Sequence, residues 1–518
     1  MPVLDSAAIR AHAEFLANDL LEGRATGSRG YELAAAYVAA QFRQYGLTSL
    51  LDGGGYLQSA PLVEATVVLP GSVMSFKRDN ATVNFEFSKD YLPGANFFNA
   101  NVSLTAPLAF VGYGIDAPEY QHNDFAGVDL QGRVAVLLEG APEQFNEAAR
   151  AYYGWRDTKY AQLVKLGAQS VIEINTVQAG SNGHPSSWEK AVNASWVTEM
   201  RAQQGDQPVE PFPELKLKFR ISSDAAAQLF TGSGRGFEQV LQSTQSGASQ
   251  GFALPGALTL TATTGLRYVD SSNVLGMVRG SDARLRNEYV LVVAHLDHLG
   301  RGPAVNGDNI YNGLQHNAVG VAMMMEMARA IAATPSKPKR SIVFAAVTAG
   351  DKQGQGLQYL LSSGAINARN IVGALALDMP LPLARTQDIQ APGAAESSIG
   401  VTLASVLRES GQSLSASNVG TLLNETLTPL LRANIPVVDM RSGNRARNAR
   451  IDMRTLKRQW FQDHFDQPSD DIGSAPLDAQ AAGELAAVGA ATALRLADSD
   501  ARPTWYRSSF MSRKLRQE

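Results

Sequence analysis

The chain has 518 residues, of which 45% are hydrophobic and 18% are charged, with a formal net charge of −4 at pH 7. This length predicts two to three domains, and the charge gives no basic surface for nucleic acid or for anionic lipid. The absence of cysteine excludes disulfides, thiolate metal ligands and a cysteine nucleophile.

The sequence predicts no membrane span and no signal peptide in its first residues. No apolar run approaches the roughly 18 residues that a spanning helix needs. The opening MPVLDSAAIR has no basic segment followed by an apolar one, as a signal peptide would.

The first 50 residues are predicted to form two helices. Asp5 or Ser6 can cap a helix that runs through Leu16, and a second helical pattern covers residues 31–47, with Gly46 as its stop. From about residue 56 to residue 105 the pattern changes to β-branched and alternating segments, such as residues 83–87.

A self-contained α/β stretch is predicted over residues 106–262. It contains strand patterns at 108–114, 133–140 and 170–174 and a helical pattern at 159–169. The polar tract 180–213, rich in Pro and Gly, is predicted to be a loop. These boundaries predict one domain from residues 1–105 and 263–518, interrupted by an inserted domain.

From residue 271 onward, short apolar strands alternate with helices. Strands are predicted at 289–294, 341–347, 371–377 and 435–440, and helices at 318–333, near 357–363, near 399–409 and at 478–497. This order predicts a mainly parallel sheet with helices on both faces. Ligand sites in such sheets lie beyond the carboxyl ends of the strands, where His295, Asp351 and Asp378 fall.

The order of short motifs in this half of the chain is distinctive. It runs SNVLG, AHLDHLG, GDNIYNG, a helix opened by N-A-x-G, RSIVFAAVTA and ALALDM. This order resembles the M28 family of zinc aminopeptidases. Residues 108–174 resemble the protease-associated (PA) domain that many members carry as an insertion, and EGRATGSRGYELAAAYVAAQF is similar to the N-terminal region of the same subgroup.

The resemblance implies an α/β fold of the zinc-exopeptidase type: a mixed, mainly parallel sheet with helices on both faces and an inserted PA domain at 106–262. It also implies two zinc ions held by five side chains, with a glutamate as general base. It further implies a periplasmic or extracellular protein whose leader has been removed.

The family's site residues are carried over position by position. The histidine of the A-H-x-D motif falls on His295, with Asp297 as the carboxylate that supports it. The bridging aspartate falls on Gln315, and the next aspartate falls on His316.

The remaining positions are also substituted in part. The glutamate base falls on Gly350, and the adjacent ligand falls on Asp351, which is one methylene shorter. The aspartate that closes the next strand is retained as Asp378. The last histidine falls on Asp466, with His464 two residues away as a substitute after a local shift.

These substitutions predict a degraded metal site. Gln315 carries no charge with which to hold two cations together, and loss of the general base costs roughly 10²–10⁴ in rate. The remnant ligands are predicted to be His295, Asp351, Asp378 and Asp466, and the cleft is predicted to be lined by Asp297, His298, Gln315, His316 and His464. Such a set predicts either no metal or one weakly bound divalent ion: Zn²⁺, or a harder ion such as Mn²⁺, Mg²⁺ or Ca²⁺.

Simpler roles remain open for several of these residues. His295 can be a hydrogen-bonded structural residue, and His298 and His316 can be polar lining rather than ligands. Asp351 follows a glycine and is an equally good helix N-cap. Asp470 and Asp471 are expected to cap or solvate a turn.

The sequence leaves three functions open. The first is an M28 aminopeptidase-like protein that is inactive as a two-zinc peptidase and binds peptides or amino-terminal groups, or serves as a scaffold. The second is a single-metal hydrolase, or an acyl-transfer enzyme comparable to glutaminyl cyclases. It would use His295, Asp351 and Asp378 as ligands and His316 or Asp466 as the base. The third is a regulatory or assembly partner that works through its PA domain. The sequence predicts no oligomeric state.

Overall fold

The structure, a computed structural model, describes residues 2–69, 71–176, 187–247, 250–423 and 426–515. The chain divides into two compact units, Met1–Leu62 with Val269–Glu518, and Val63–Tyr268. The predicted insertion, residues 106–262, lies within the second unit. That unit begins before residue 106 because strands at 73–78 and 91–93 pair with later strands of the same unit. Its assignment to the PA domain class stays a prediction.

The helices and strands are numbered here in chain order. The α-helices are α1 (Ser6–Leu16), α2 (Arg29–Gln44), α3 (Glu147–Gly154), α4 (Arg156–Lys165), α5 (Trp188–Asn193), α6 (Ser223–Phe230), α7 (Phe237–Gln245), α8 (Val319–Ala332), α9 (Gln355–Ser362), α10 (Ile399–Glu409), α11 (Thr428–Arg432), α12 (Met453–Asp463), α13 (Ala479–Asp498) and α14 (Phe510–Leu515). The strands are β1 (Leu57–Val67), β2 (Val73–Arg78), β3 (Ala81–Asn84), β4 (Tyr91–Pro93), β5 (Asn101–Phe110), β6 (Asp116–Ala117), β7 (His122–Asn123), β8 (Val134–Leu138), β9 (Ser170–Ile174), β10 (Glu199–Gln204), β11 (Gln207–Pro208), β12 (Leu217–Ile221), β13 (Phe252–Val278), β14 (Tyr289–His295), β15 (Gly300–Val305), β16 (Asp308–Tyr311), β17 (Ser341–Val347), β18 (Ile371–Ala376), β19 (Asp388–Gln390), β20 (Ser413–Ser415), β21 (Val437–Asp439) and β22 (Arg441–Ser442).

The first unit contains a mainly parallel sheet in the order β21–β18–β14–β17–β13. Strands β21, β18, β14 and β17 are parallel, and residues 274–278 of β13 pair antiparallel with β17. The register of β14 with β17 runs from Tyr289 opposite Ser341 to His295 opposite Val347. These strands are near-continuous apolar runs because helices cover both faces of a parallel sheet. The predicted mixed α/β sheet is confirmed.

In this unit, local caps fix where helices begin, and apolar faces fix how the helices pack. Asp5 caps α1 by accepting hydrogen bonds from the amides of Ala7 and Ala8, and Asp478 caps α13 by accepting one from Ala481. Helix α8 packs against α1 and α13 and is buried along nearly its whole length. The helices predicted around residues 318–333, 357–363, 399–409 and 478–497 are confirmed as α8, α9, α10 and α13.

The second unit has its own parallel core. Strands β5, β8, β9 and β12 are parallel neighbours, residues 252–263 of β13 pair antiparallel with β5, and β4 pairs antiparallel with β12. The predicted strands at 133–140 and 170–174 are confirmed as β8 and β9. The predicted loop at 180–213 is wrong in its described part, which contains α5, β10 and β11. Residues 177–186 lie outside the described residues.

Among the residues that the structure describes, no helix combines the length and the apolar character needed to cross a membrane.

Candidate functional site

The carboxyl ends of three parallel strands meet at one edge of the first unit's sheet. β14 ends at His295, β17 is followed by the loop 348–354, and β18 is followed by Asp378. Because these strands are hydrogen-bonded neighbours, their C-terminal side chains converge. His295 Nε2 lies 3.4 Å from Asp378 Oδ1, and both side chains are buried. Burial disfavours the charged form of Asp378, but the contact with His295 outweighs burial and lowers the pKa of Asp378.

Asp297 fixes the loop that follows β17. Its Oδ1 accepts a hydrogen bond of 2.8 Å from the amide of Gly350, and its Oδ2 accepts one of 3.2 Å from Thr26 Oγ1. His295 Nδ1 lies 3.1 Å from the backbone oxygen of Asp297 and 3.8 Å from its carboxylate. Burial and the nearby Asp351 raise the pKa of Asp297. Asp297 thus supports His295 through its main chain and holds the neighbouring loop with its side chain.

Asp351 is surrounded by three imidazoles. Its Oδ2 lies 3.0 Å from His298 Nδ1, and its Oδ1 lies 3.1 Å from His316 Nε2 and 3.8 Å from His295 Nδ1. Burial opposes ionisation of Asp351, but these imidazoles outweigh it and hold its pKa well below the usual range. The helix-cap alternative is wrong, since α9 begins after Gly354.

His316 lies between two carboxylates. Its Nδ1 is 3.0 Å from Asp466 Oδ1, opposite the 3.1 Å contact of Nε2 with Asp351, and its ring stacks on Phe465 at 5.3 Å. Its backbone amide donates a hydrogen bond of 3.1 Å to Asp470 Oδ2. Burial disfavours the imidazolium, but the two carboxylates outweigh burial and raise the pKa of His316 well above its usual value. The arrangement favours a positively charged ring.

The side chains of Gln315 and His464 make their hydrogen bonds outside the group of cleft carboxylates. The side-chain amide of Gln315 donates a hydrogen bond of 2.6 Å to the carbonyl oxygen of Pro476. His464 Nδ1 lies 3.0 Å from both the backbone oxygen and the hydroxyl of Ser469. The structure therefore places His316, and not Gln315, among the carboxylates of the cleft.

Asp470 has a larger role than the turn that the sequence predicts. It is fully buried, and its carboxylate accepts hydrogen bonds from the backbone amides of Gln315 and His316. Burial raises its pKa to about 6. The predicted turn role is wrong for Asp470, which instead anchors the segment that carries His316.

Position 350 has no room for a side chain. A Cβ added to Gly350 would lie 2.2 Å from Cβ and 2.7 Å from Cγ of His295, far inside van der Waals contact. The amide of Gly350 is also fixed by Asp297. The backbone at position 350 is therefore held in a place that leaves no space for a side chain.

Arg24 supports the site from the N-terminal region, a role that the sequence analysis missed. It is 1% exposed, and its guanidinium donates to the carbonyl oxygens of Leu296 at 2.9 Å and Asn312 at 2.7 Å. The carbonyl of Arg24 in turn accepts a hydrogen bond of 3.2 Å from the amide of His298. Burial lowers the pKa of Arg24 to about 10. The sequence clue to this role was the position of Arg24 in the Gly-rich segment EGRATGSRG. In the structure its backbone is left-handed, with a φ of 51°.

Three groups of side chains in the described part of the chain could hold a metal ion. Their donor atoms lie within 4.8 Å of one another, and the groups are His295 with His316 and Asp378, His298 with His316 and Asp466, and His295 with Asp297 and Asp351. Within the same part of the chain, the Nε2 atom of His298 is buried and has no hydrogen-bond partner. Mixed imidazole and carboxylate donors suit borderline ions such as Zn²⁺.

Known proteins share this fold. The family model for Peptidase family M28 matches residues 273–493. An aminopeptidase from Aneurinibacillus sp. strain AM-1 matches with a TM-score of 0.54 and 16% identity, over 95% of this chain and 94% of that chain.

Two further solved structures align over similar lengths. The zinc aminopeptidase BSAP from Bacillus subtilis has 14% identity and a TM-score of 0.47, over 99% of this chain and 98% of that chain. The peptidase M28 precursor from Shewanella amazonensis SB2B has 15% identity and a TM-score of 0.45, over 97% of this chain and 99% of that chain.

At such identities these structures share the fold with this chain, and the family model matches its sequence over residues 273–493. The motif order and the mainly parallel sheet agree with both findings. We conclude that residues 273–493 match Peptidase family M28 and that the chain has an aminopeptidase-like fold.

Proposed function

We propose that this protein does not work as a two-zinc aminopeptidase and that its cleft binds peptides through their amino-terminal group. The observation that carries the proposal is the position of His316 between Asp351 and Asp466. Two zinc ions close together need a negatively charged group between them. The His316 imidazole instead hydrogen-bonds to a carboxylate on each side, and it therefore supplies positive charge between them.

The residues present therefore do not fit a pair of zinc ions. Gln315, the position at which a bridge was expected, turns its amide to Pro476. Position 350 leaves no space for a glutamate base beside His295. Loss of such a base costs roughly 10²–10⁴ in rate, which supports a binding role over hydrolysis.

A cationic ligand is supported by the charges at this edge of the sheet. Asp351 and Asp378 are held in the ionised form by the neighbouring imidazoles, which lower their pKa values, and the side chain of Asp466, which is 39% exposed, is accessible to a ligand from solvent. A peptide α-ammonium group complements such a set by charge-assisted hydrogen bonds.

The first test separates binding from hydrolysis. Protein incubated with excess Zn²⁺ should give no turnover of aminoacyl p-nitroanilides above a blank, and calorimetry should detect binding of a short peptide. The same peptide with an acetylated amino terminus is the matched control and should bind at least tenfold more weakly. Turnover that depends on two zinc ions per chain would overturn the proposal.

A second candidate is a single-metal hydrolase, or a cyclase-like acyl-transfer enzyme. The buried His295 Nε2, which lies 3.4 Å from Asp378 Oδ1, supports it. One bound ion of this kind would polarise a carbonyl group or lower the pKa of a bound water. This candidate requires hydrolysis or cyclisation that one equivalent of Zn²⁺ restores and that Asp378→Asn abolishes.

A further inference from the structure

We propose that this protein forms a symmetric homodimer through the outer face of α2, against which the α2 helix of a second copy packs antiparallel. The inference concerns a surface that the proposed function does not use. This surface, the α2 face, consists of Leu33, Ala36, Tyr37 and Ala40, with Phe15 of α1 beside them.

The middle of α2 carries no charge on any side. Residues 33–42, LAAAYVAAQF, contain no Asp, Glu, Lys or Arg. One side of this segment is buried in the core of the first unit through Ala34, Val38 and Phe42. A surface helix normally has charged or polar residues on its outer side, and a helix that is apolar all round is normally covered on both sides. The sequence of α2 therefore fits a helix that has a second packing partner.

The α2 face is open to solvent in the single chain. Leu33 is 45% exposed and Phe15 is 41% exposed, and Ala36 and Ala40 are exposed as well. The spacing of positions 33, 36, 37 and 40 puts their side chains on one side of the helix. The Tyr37 ring stacks on Phe15 with ring centroids 4.1 Å apart, which joins α1 to the same apolar surface. Single apolar side chains at a surface are ordinary, but a contiguous apolar stripe marks an interaction site.

The side chain at the centre of the α2 face is held in place. The Tyr37 hydroxyl lies 2.8 Å from Nδ1 of the buried His12, and its ring is fixed by the stack on Phe15. A side chain that is already ordered loses little conformational entropy when a partner covers it. The small side chains of Ala36 and Ala40 let a second helix approach to the usual distance of about 8–10 Å between axes. The α2 face is therefore suited to packing against another helix.

The charges at the two ends of α2 indicate that this other helix is a second copy of α2. Glu32 lies in the first turn and Arg43 in the last, and because they are about three helical turns apart they lie along the same flank. Among the described residues neither forms an ion pair, and the Arg43 guanidinium lies 5.8 Å from the ring centroid of Tyr56. In a two-fold symmetric antiparallel pair, Glu32 faces the partner's Arg43, and the same contact occurs a second time by symmetry.

A membrane of anionic lipid fits this region less well. The charged side chains at its margin have both signs: Arg10 and Glu14 form an ion pair on α1, and Arg29 and Glu32 both lie at the start of α2. Attraction to anionic lipid needs an excess of Lys and Arg. Opposite charges at the two ends of one helix instead complement a copy of themselves, and antiparallel packing also brings opposite ends of the two helix dipoles together.

The test measures the dimer dissociation constant by analytical ultracentrifugation of the full chain over a range of protein concentrations at low salt. Wild-type protein should sediment as a reversible dimer. Ala36→Arg should raise the dissociation constant by about 30-fold or more, because it buries two unpaired charges at the centre of the interface. Arg is close to Ala in helix propensity and position 36 is exposed, so the monomer should stay folded. Ala227→Arg, at an exposed position of α6, is the matched control and should leave the constant unchanged.

Charge reversal tests the pairing of the two helix ends. Glu32→Arg and Arg43→Glu should each raise the dissociation constant by about tenfold, since each turns two attractive contacts into two repulsive ones. The double variant restores opposite charges and should return to within about threefold of wild type. High salt should reduce the differences between these variants because it screens exposed charges.

Three results would overturn the inference. One is a wild-type protein that is monomeric at every concentration, and its binding to vesicles of anionic phospholipid would then assign the α2 face to a membrane. Another is a dimer that Ala36→Arg leaves intact, which would place the contact on a different surface. The third is a double variant as weak as either single variant, which would mean that Glu32 and Arg43 do not pair. Peptide binding in the cleft should be equal in wild type and Ala36→Arg, so this inference and the proposed function can fail separately.

Discussion

His295 fills the space that a side chain at Gly350 would need, since a Cβ at position 350 would lie 2.2 Å from the Cβ of His295. His295 is fully buried and bonded to the main chain of Asp297, so it has no direction in which to yield. The packing of His295 therefore excludes a larger residue at position 350, and a glutamate introduced there by mutation alone should not fit.

We expect Gly350→Glu to lower the free energy of unfolding by about 1–3 kcal/mol, as overpacked sites do, and to create no aminopeptidase activity. Chemical denaturation and a p-nitroanilide assay with Zn²⁺ check both expectations. Gly55→Glu is the control, because nothing lies within 4 Å of a Cβ there, and it should change stability by less than about 0.5 kcal/mol. A stable Gly350→Glu variant with zinc-dependent turnover would contradict the packing argument.

The contacts of His316 predict a pH-dependent contribution to stability. The folded-state pKa of His316 is raised well above 6.5, so its contribution is fully present below the unfolded-state pKa and is lost as pH rises through the folded-state value. The pKa of Asp351 is lowered well below 3.8, so its contribution is present above 3.8 and is lost as pH falls. Together the contacts should stabilise most between about pH 4 and pH 6.5.

His316→Gln should therefore lower the free energy of unfolding most in that window, and the difference from wild type should shrink at higher pH. Urea unfolding across a pH series in EDTA measures it without a bound ion. His464→Gln, which contacts Ser469 outside this set of carboxylates, is the matched histidine control. A difference that stays constant from pH 5 to pH 10 would show that His316 is neutral in the folded protein.

Even a charge-conserving substitution of Arg24 should lower the stability of the protein. Its guanidinium donates to the carbonyl oxygens of Leu296, Asn312 and Gly313, and a lysine ammonium cannot reproduce that fork of donors. We expect Arg24→Lys to cost about 3 kcal/mol or more, because buried carbonyls lose their partners and a buried charge is left poorly solvated. Thermal unfolding measures the loss, and the exposed Arg29→Lys should have little effect. Equal stability of the two variants would refute this supporting role.

The sequence predicted the sheet better than the site. Strands β14 and β17 were predictable because strands buried on both faces of a parallel sheet are short apolar runs, as in YVLVVAH and SIVFAAV. Which of the neighbours Gln315 and His316 enters the cleft was not predictable, since the backbone around them is irregular and is set by the distant Asp470.

Long-range contacts explain why the roles of Arg24 and Asp470 were not predicted from the sequence. The partners of Arg24 are backbone carbonyls that lie up to 289 positions away in the sequence, and an arginine is normally expected at the surface. Asp470 follows a proline and a serine, a context typical of a turn, but the fold buries it under the segment that carries His316. In both cases the local pattern carried no information about the partner.

In the second unit, the buried Glu173 near the end of β9 forms an ion pair with the partly exposed Arg156. Arg156 Nε lies 3.0 Å and 3.1 Å from the two carboxylate oxygens, and Nη2 lies 2.9 Å from Oε2. Burial opposes the charge of Glu173, but Arg156 outweighs it, so the pKa of Glu173 is lowered below its usual 4.5. The pair therefore stabilises the fold above pH 4.5, and that stabilisation is lost as pH falls through the folded-state pKa.

Glu173→Gln should destabilise this unit by about 1–3 kcal/mol at pH 7. This is less than the 3–5 kcal/mol typical of a fully buried pair, because the side chain of Arg156 is 44% exposed and is screened by water. The difference from wild type should shrink as the pH is lowered, since wild-type Glu173 then becomes neutral like the glutamine. Limited proteolysis of the full chain, read at sites within residues 63–268, reports this unit separately. Glu86→Gln, whose side chain is 71% exposed, should leave the cleavage rate unchanged. A difference that instead grows at low pH would mean that Arg156 does not hold Glu173 in its charged form.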